Sequence, residues 1–333
     1  MKRKWFFASL VPFLMAVLLA GGSAFARDEA PSVRMIEPIV STDWLDKSRG
    51  QRDLVMIDVR SPVAYGAGHI PGSISEPFVT GFLPETGPTS HWIVGRGGLW
   101  LEIPDTGDLF GTIGHLGISA DSRVVVVTDP DPGDPAPQYG LCSATRVATT
   151  LIYAGVGNVA ILDGGYAKWV AEGKETTKDV PVVSPVTFKG KADEAIFVSV
   201  EYVRQNMRKA SIIDARDAGV YFGVIIEPYA AKAGHIPEAA SLPAPWIWDL
   251  KGGAYTYKDP ETLRAMASGV IREPKGHERH WDQEIIVHCG VGGYASSWWF
   301  VLTQVLGYEN VKFYDGSSQE WAMYYDMVPY QWD

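Results

Sequence analysis

Unbroken apolar runs alternate along this chain with stretches of helical period. Residues 55–57, 124–127, 212–213 and 285–287 are short runs, rich in Val and Ile, bounded by polar or glycine positions. Runs of that kind predict strands buried on both faces, whereas 141–154, 260–270 and 295–306 space their apolar residues for helices. Strands alternating with helices predict an α/β fold of parallel sheets flanked by helices. The most distinctive segment is 285–296: a strand, then Cys289, then a turn containing Gly290, Gly292 and Gly293, then the start of a helix.

The pattern occurs twice. Ser41-Thr42-Asp43-Trp44-Leu45 returns as Ser199-Val200-Glu201-Tyr202-Val203, each an N-cap ahead of a short amphipathic helix. The strand ending in Asp58-Val59-Arg60 returns as the one ending in Asp214-Ala215-Arg216, and Gly68-His69-Ile70-Pro71 returns as Gly234-His235-Ile236-Pro237. Further on, 124–128 matches 284–288, and Asp163-Gly164-Gly165 with Trp169 matches Asp315-Gly316-Ser317 with Trp321. Blocks kept in one order mark an internal duplication, with insertions such as 223–232 in the second copy and 130–140 in the first confined to loops. The expected domains are 35–173 and 194–333. Residues 174–193, rich in Pro, Thr, Val and Lys without periodicity, are the expected linker.

The first 26 residues change the picture of where the chain works. Lys2, Arg3 and Lys4, an apolar stretch to Gly22 and the triplet Ala24-Phe25-Ala26 have the layout of a cleavable export signal, so 1–26 is set aside from the fold. A retained membrane anchor is the competing reading, because the apolar stretch is near the lower limit for spanning a bilayer. Pro12 and the triplet favour cleavage, a product beginning at Arg27 without stable membrane insertion, and a periplasmic location if the source is bacterial. The formal charge of −10 leaves no basic footprint for nucleic acid. Cys142 and Cys289 are too few for a disulfide scaffold, and a thiol retained in an oxidising compartment points to a task.

A cysteine between a strand and a glycine turn that opens a helix has backbone N–H groups and the positive helix end aimed at it. Both favour the thiolate, the nucleophilic form. A lone cysteine more often packs than reacts, but three neighbouring glycines, costly to order, weigh toward an active loop with an exposed thiol. The loop lacks the Gly-Lys-Ser/Thr ending of a phosphate-binding loop, and Ala295 stands where a cysteine phosphatase needs arginine. His277 and His280, near His288, lack a compact ligand set around them and read as a solvated loop, so neither a metal nor another cofactor is expected.

Taken together, the duplicated Asp-x-Arg, Gly-His-Ile-Pro, strand-end cysteine with its glycine loop, and Asp-Gly-Gly/Ser-x-x-x-Trp resemble the tandem-domain rhodaneses, a sulfurtransferase family. The resemblance covers nearly the whole chain after the leader. It implies two rhodanese-like α/β domains, the first lacking the catalytic cysteine because Asp129 aligns with Cys289. It implies that Cys289 takes a sulfane sulfur from a small-molecule donor as a persulfide. The loop Gly290, Val291, Gly292, Gly293, Tyr294 and Ala295 would stabilise the persulfide, and a thiol, cyanide or a protein acceptor would remove the sulfur. The loop is partly similar to the Cys-Gly-Ser-Gly of mercaptopyruvate sulfurtransferases, with Val291 in place of serine. Thiosulfate-using members carry cations just after the cysteine and often a further arginine where this chain has the neighbourhood of Val220, so a weak response to thiosulfate is expected. Asp214, Arg216, His235 and Trp248 are candidates to touch substrate. Recurrence of the first three as Asp58, Arg60 and His69 favours a structural tie between strand end and loop. Trp298 and Trp299 read as core, and Trp246 as a second candidate wall beside Trp248. The alternative function is a carrier that delivers sulfur or selenium to a partner without free turnover.

Overall fold

The computed structural model describes residues 34–83, 87–130, 138–271 and 283–329; the leader, His277 and His280 lie outside the described residues. In the first repeat β1 (Ile39–Val40), β2 (Leu54–Asp58), β3 (Ile74–Ser75), β4 (Arg123–Val127) and β5 (Asn158–Leu162) form a parallel sheet in the order β1-β5-β4-β2-β3. In the second, β6 (Phe197–Val198), β7 (Ser211–Asp214), β8 (Ala239–Ser241), β9 (Ile285–His288) and β10 (Val311–Tyr314) repeat that topology as β6-β10-β9-β7-β8. The chain is therefore α/β with two parallel five-stranded sheets flanked by helices.

Why these strands read as unbroken apolar runs follows from their two covered faces. Val124 and Val126 enter a core shared by both repeats, with Val147, Trp298 and Val301, while Val125 and Val127 enter a separate core with Leu45, Ile70 and Trp169. Likewise Ile285 and Val287 face the shared core, and Ile286 packs with Val203, Ile236 and Trp321. Each such side chain contributes roughly 1.5–3 kcal/mol when fully buried. Ser41 and Ser199 cap their helices through hydroxyls that accept the N–H of Trp44 and Tyr202.

The repeats meet along the helices Tyr139–Tyr153 and Gly293–Phe300, and everything from residue 34 onward is one compact unit. At their contact Thr145 Oγ1 lies 2.8 Å and 2.9 Å from the hydroxyls of Ser296 and Ser297, so three buried polar groups satisfy one another. Residues 174–193 run back over the first repeat. Thr177 bridges His69, the Val186 N–H donates to the Gly114 carbonyl at 2.9 Å, and Phe188 stands edge-on to Phe110.

Two small hairpins cross between the repeats. The first repeat's hairpin, Val94–Arg96 with Leu99–Glu102, is followed by Ile103, whose N–H donates to Asp315 just beyond β10 at 2.7 Å. The second repeat's hairpin, Trp248–Lys251 with Ala254–Tyr257, sends the Tyr257 N–H to Asp163 just beyond β5 at 2.9 Å. Each repeat thus lays a hairpin at the carboxyl end of the other's sheet, anchored on the aspartate of the duplicated Asp-Gly motif.

Candidate active site

β9 ends at His288, in register with Asp214 at the end of β7, and delivers Cys289 to the carboxyl edge of the sheet. The segment after β10 fixes both peptide groups of that cysteine: its N–H donates to Ser317 Oγ at 3.2 Å and its carbonyl accepts the Ser318 N–H at 2.9 Å. Gln319 N–H bonds the Gly290 carbonyl at 3.1 Å. Ser317 itself holds φ +52, the left-handed region, where the first repeat has Gly165. Gly292, at φ +87, turns the loop so that its N–H donates to Cys289 Sγ at 3.1 Å.

Two expectations about this thiol are corrected. Cys289 is 2 % exposed rather than open to solvent. Burial pushes its pKa up; the N–H of Ala295 opposes this, Glu227 adds to it, and the N–H groups of Val291 and Gly292 oppose it again. The loop has the anticipated donors, but burial outweighs them and the resting group is a thiol. His288 is fully buried and burial lowers its pKa, so it is neutral, with Nδ1 3.2 Å from the Cys289 carbonyl.

The four other candidates are held by partners other than the sulfur. Arg216 is 2 % exposed and grips Asp214 through Nε (2.9 Å) and Nη2 (2.6 Å), with Nη2 also on the Gly234 carbonyl at 2.8 Å. His235 stacks on Tyr221 at 3.9 Å, and its backbone pairs with Val328. The first repeat reproduces both arrangements, with Arg60 on Asp58 and the Gly68 carbonyl and His69 stacked on Tyr65 at 3.7 Å. Asp214, Arg216 and His235 are therefore ties between strand end and loop. Trp248 is buried and lines a cavity beside the first repeat's Thr128 and Gly164, Trp246 is exposed, and Trp298 and Trp299 are core.

What surrounds Cys289 instead comes from two places that carried no motif. The 223–232 insertion brings in Glu227 and Tyr229: a Cβ on Gly290 would lie 2.7 Å and 2.8 Å from the Glu227 carboxylate oxygens, and closer still to the Tyr229 hydroxyl. Val220 is buried in the short helix Ala218–Tyr221, so the insertion, not position 220, sets the charge here. The first repeat supplies Tyr139, whose ring would crowd a Cβ on Gly293 at 3.0 Å, Trp100, 5.5 Å from the Tyr229 ring, and Arg146. Arg146 is fully buried behind Gly292, with Nη1 on Asp315 at 2.5 Å and Nη2 on the Leu101 carbonyl at 2.7 Å.

The rhodanese-like domain family matches residues 41–172 and again residues 199–324. The chain is a tandem rhodanese. Its curated relatives include a Synechococcus elongatus protein named for a candidate thiosulfate sulfurtransferase activity, 29 % identical over 96 % of this chain and 93 % of that one. Others are the thiosulfate/3-mercaptopyruvate sulfurtransferase 2 of Arabidopsis thaliana, 27 % identical over 92 % and 90 %, and the sulfur carrier protein TtuD of Thermus thermophilus, 28 % identical over 86 % and 94 %. Among solved structures, the anaerobic ergothioneine biosynthesis enzyme of Chlorobium limicola shares the fold, with a TM-score of 0.69 at 22 % identity over 88 % of this chain and 71 % of that one.

In this rhodanese the first repeat keeps the frame and changes the chemistry. The expected match of Asp129 with Cys289 is one residue out. Asp58 pairs with Val127 as Asp214 pairs with His288, and the Thr128 carbonyl accepts the Tyr166 N–H as the Cys289 carbonyl accepts the Ser318 N–H, so Thr128 takes the cysteine's place and Asp129 that of Gly290. Asp129 accepts the Ala167 N–H at 2.7 Å and lies 3.6 Å from Arg60 Nη1. Burial raises its carboxyl to about 6. Beside it a small cavity is lined by Thr128, Leu141, Gly164, Gly165 and the second repeat's Trp248 and Tyr257. Trp248 is thus a wall of the cysteine-free site.

Proposed function

We propose that this sulfurtransferase carries sulfur as a persulfide on Cys289. The observation that supports it most directly is the Gly292 N–H aimed at Sγ, with the N–H groups of Val291 and Ala295 also lowering the cost of negative charge there. In the resting thiol those donors lose to burial; on a terminal persulfide the charge moves one bond outward, into the curl of the loop. Preorganised N–H donors at the place where charge develops are an efficient form of catalytic stabilisation. The Cys289 sulfur attacks the donor's sulfane sulfur, the donor's bond to that sulfur breaks, and the leaving group departs with the electron pair. A thiol, cyanide or protein nucleophile then takes the terminal sulfur and returns Cys289. No cofactor is required by either displacement.

Intact-mass measurement after exposure to a panel of sulfane donors tests this. One added sulfur is expected on the unmodified protein and on Cys142→Ser, and none on Cys289→Ser; an adduct that persists in Cys289→Ser would end the mechanism. The TtuD relative favours a second reading, delivery to a protein partner without free turnover. Steady-state release of thiocyanate to cyanide separates the two, because a carrier loads Cys289 without sustaining it.

A further inference from the structure

In both repeats a guanidinium Nη1 at the carboxyl edge of the sheet faces a carboxylate: Arg60 to Asp129 at 3.6 Å, and Arg216 to Glu227 at 3.5 Å. In the first repeat that carboxylate is Asp129, at the position that Gly290 holds in the second. Gly290 has no side chain, and the carboxylate beside it arrives instead from the 223–232 insertion, which the first repeat lacks. Glu227 Oε1 accepts the Tyr229 hydroxyl at 2.6 Å, while Oε2 is buried without a hydrogen-bond partner. Burial raises the Glu227 pKa, and its charge in turn helps push up that of Cys289. The wall beyond is aromatic, with Tyr229, Trp100 and Phe82 in succession at 5.5 Å and 5.4 Å. The guanidinium beside Glu227, that of Arg216, is already committed to Asp214, the Gly234 carbonyl and Glu227, and that of Arg146 to Asp315 and the Leu101 carbonyl.

We propose that Glu227 selects the sulfur donor: the Cys289 pocket takes persulfides bearing an ammonium or another hydrogen-bond donor near the S–S bond, and turns away thiosulfate and carboxylate-bearing persulfides. This rests on the persulfide reading above. A dianion entering beside Gly290 meets a like charge in a poorly solvated place, which is specificity by repulsion. An ammonium meets a carboxylate oxygen that makes no hydrogen bond, with Arg216 Nη1 3.5 Å from it, and an aromatic wall, the two partners that suit it best. The reaction balances without an oxidant. Cys289 gives up its thiol proton and attacks the outer sulfur of R–S–SH; the S–S bond breaks, R–S leaves with the electron pair and takes up a proton, and Cys289 retains S–SH.

The persulfides of cysteamine, 2-mercaptoethanol and thioglycolate are alike in size and differ in charge. Their rates of sulfur loading onto Cys289, read by intact mass with thiosulfate alongside, are expected to fall in that order, with about tenfold between first and last. Glu227→Gln should bring that ratio toward one and raise the thiosulfate rate. Tyr229→Phe, which frees Oε1 and keeps the carboxylate, should widen it, so the inference is testable even where E227Q folds poorly. Loading of Cys289 with the unmodified protein's order and ratio retained in E227Q overturns the role of Glu227 alone. Absence of loading by every donor overturns the persulfide reading itself.

Discussion

Ser317 shows how much a single residue contributes to this site. Its hydroxyl accepts the Cys289 N–H and donates to the Tyr314 carbonyl at 2.9 Å, while its backbone sits where glycine is favoured. Ser317→Ala keeps the strained φ and strips the buried N–H of its acceptor, at a cost of about 1–3 kcal/mol. Ser317→Gly relieves the φ but loses the same acceptor. Chemical denaturation should place both below the unmodified protein, alanine lower; a stabilised glycine variant would mean that strain, not the hydroxyl, dominates. Glu102 allows a second test at this scale. Burial, then the Asp315 charge, lift its carboxyl from the ordinary 4.5 to about 8. Between those values the folded chain holds a proton that the unfolded chain has lost, so this group's contribution to stability is full below about 4.5 and drains away as pH rises through about 8. Glu102→Gln should flatten that part of the stability profile. The strand-end place of Cys289 was legible from the apolar run before it and the glycine turn after it, and Asp214, Arg216 and His235 were legible as ties because they recur. The residue opposite Cys289 was misplaced by one because the run of valines at 124–127 carries no mark that fixes its register. Glu227 and Tyr229 were hidden in an insertion with nothing in the other repeat to compare with.

At the scale of elements, the helix Tyr139–Tyr153 joins the repeats by packing and by one buried ion pair. Arg146 is fully buried and Asp315 nearly so, and breaking such a pair from one side costs about 3–5 kcal/mol. Arg146→Met should therefore lower stability by that order and slow Cys289 loading, since the guanidinium backs Gly292. Arg146→Met with Asp315→Asn should recover part of the loss, and a double variant no more stable than the single would show that the pair is not the coupling. Of the sheet strands, β2, β4, β7 and β9 were legible because two covered faces force unbroken apolar runs. The crossing hairpins were not: strands as short as Val94–Arg96 and Trp248–Lys251 carry too few residues for a period-two signal. The helix after the cysteine loop begins at Gly293 rather than Ala295, because the left-handed Gly292 forms its N-cap.

At the scale of the molecule, the leader's layout leads us to propose export to the periplasm. Amino-terminal sequencing of protein recovered from outside the cytoplasm should begin at Arg27; recovery only with membranes, still beginning at Met1, would favour an anchor. The duplication made the two-domain plan readable, but not that each repeat closes the other. Chain order gives that closure a direction. The hairpin at 94–102, which lies over the second repeat's sheet, precedes Cys289 in the chain, so it is delivered first whether the chain emerges from a ribosome or crosses a membrane amino end first. Refolding from denaturant is expected to shelter Cys289 from a thiol reagent only as the two repeats dock, and a thiol sheltered before docking would show that the second repeat covers it alone.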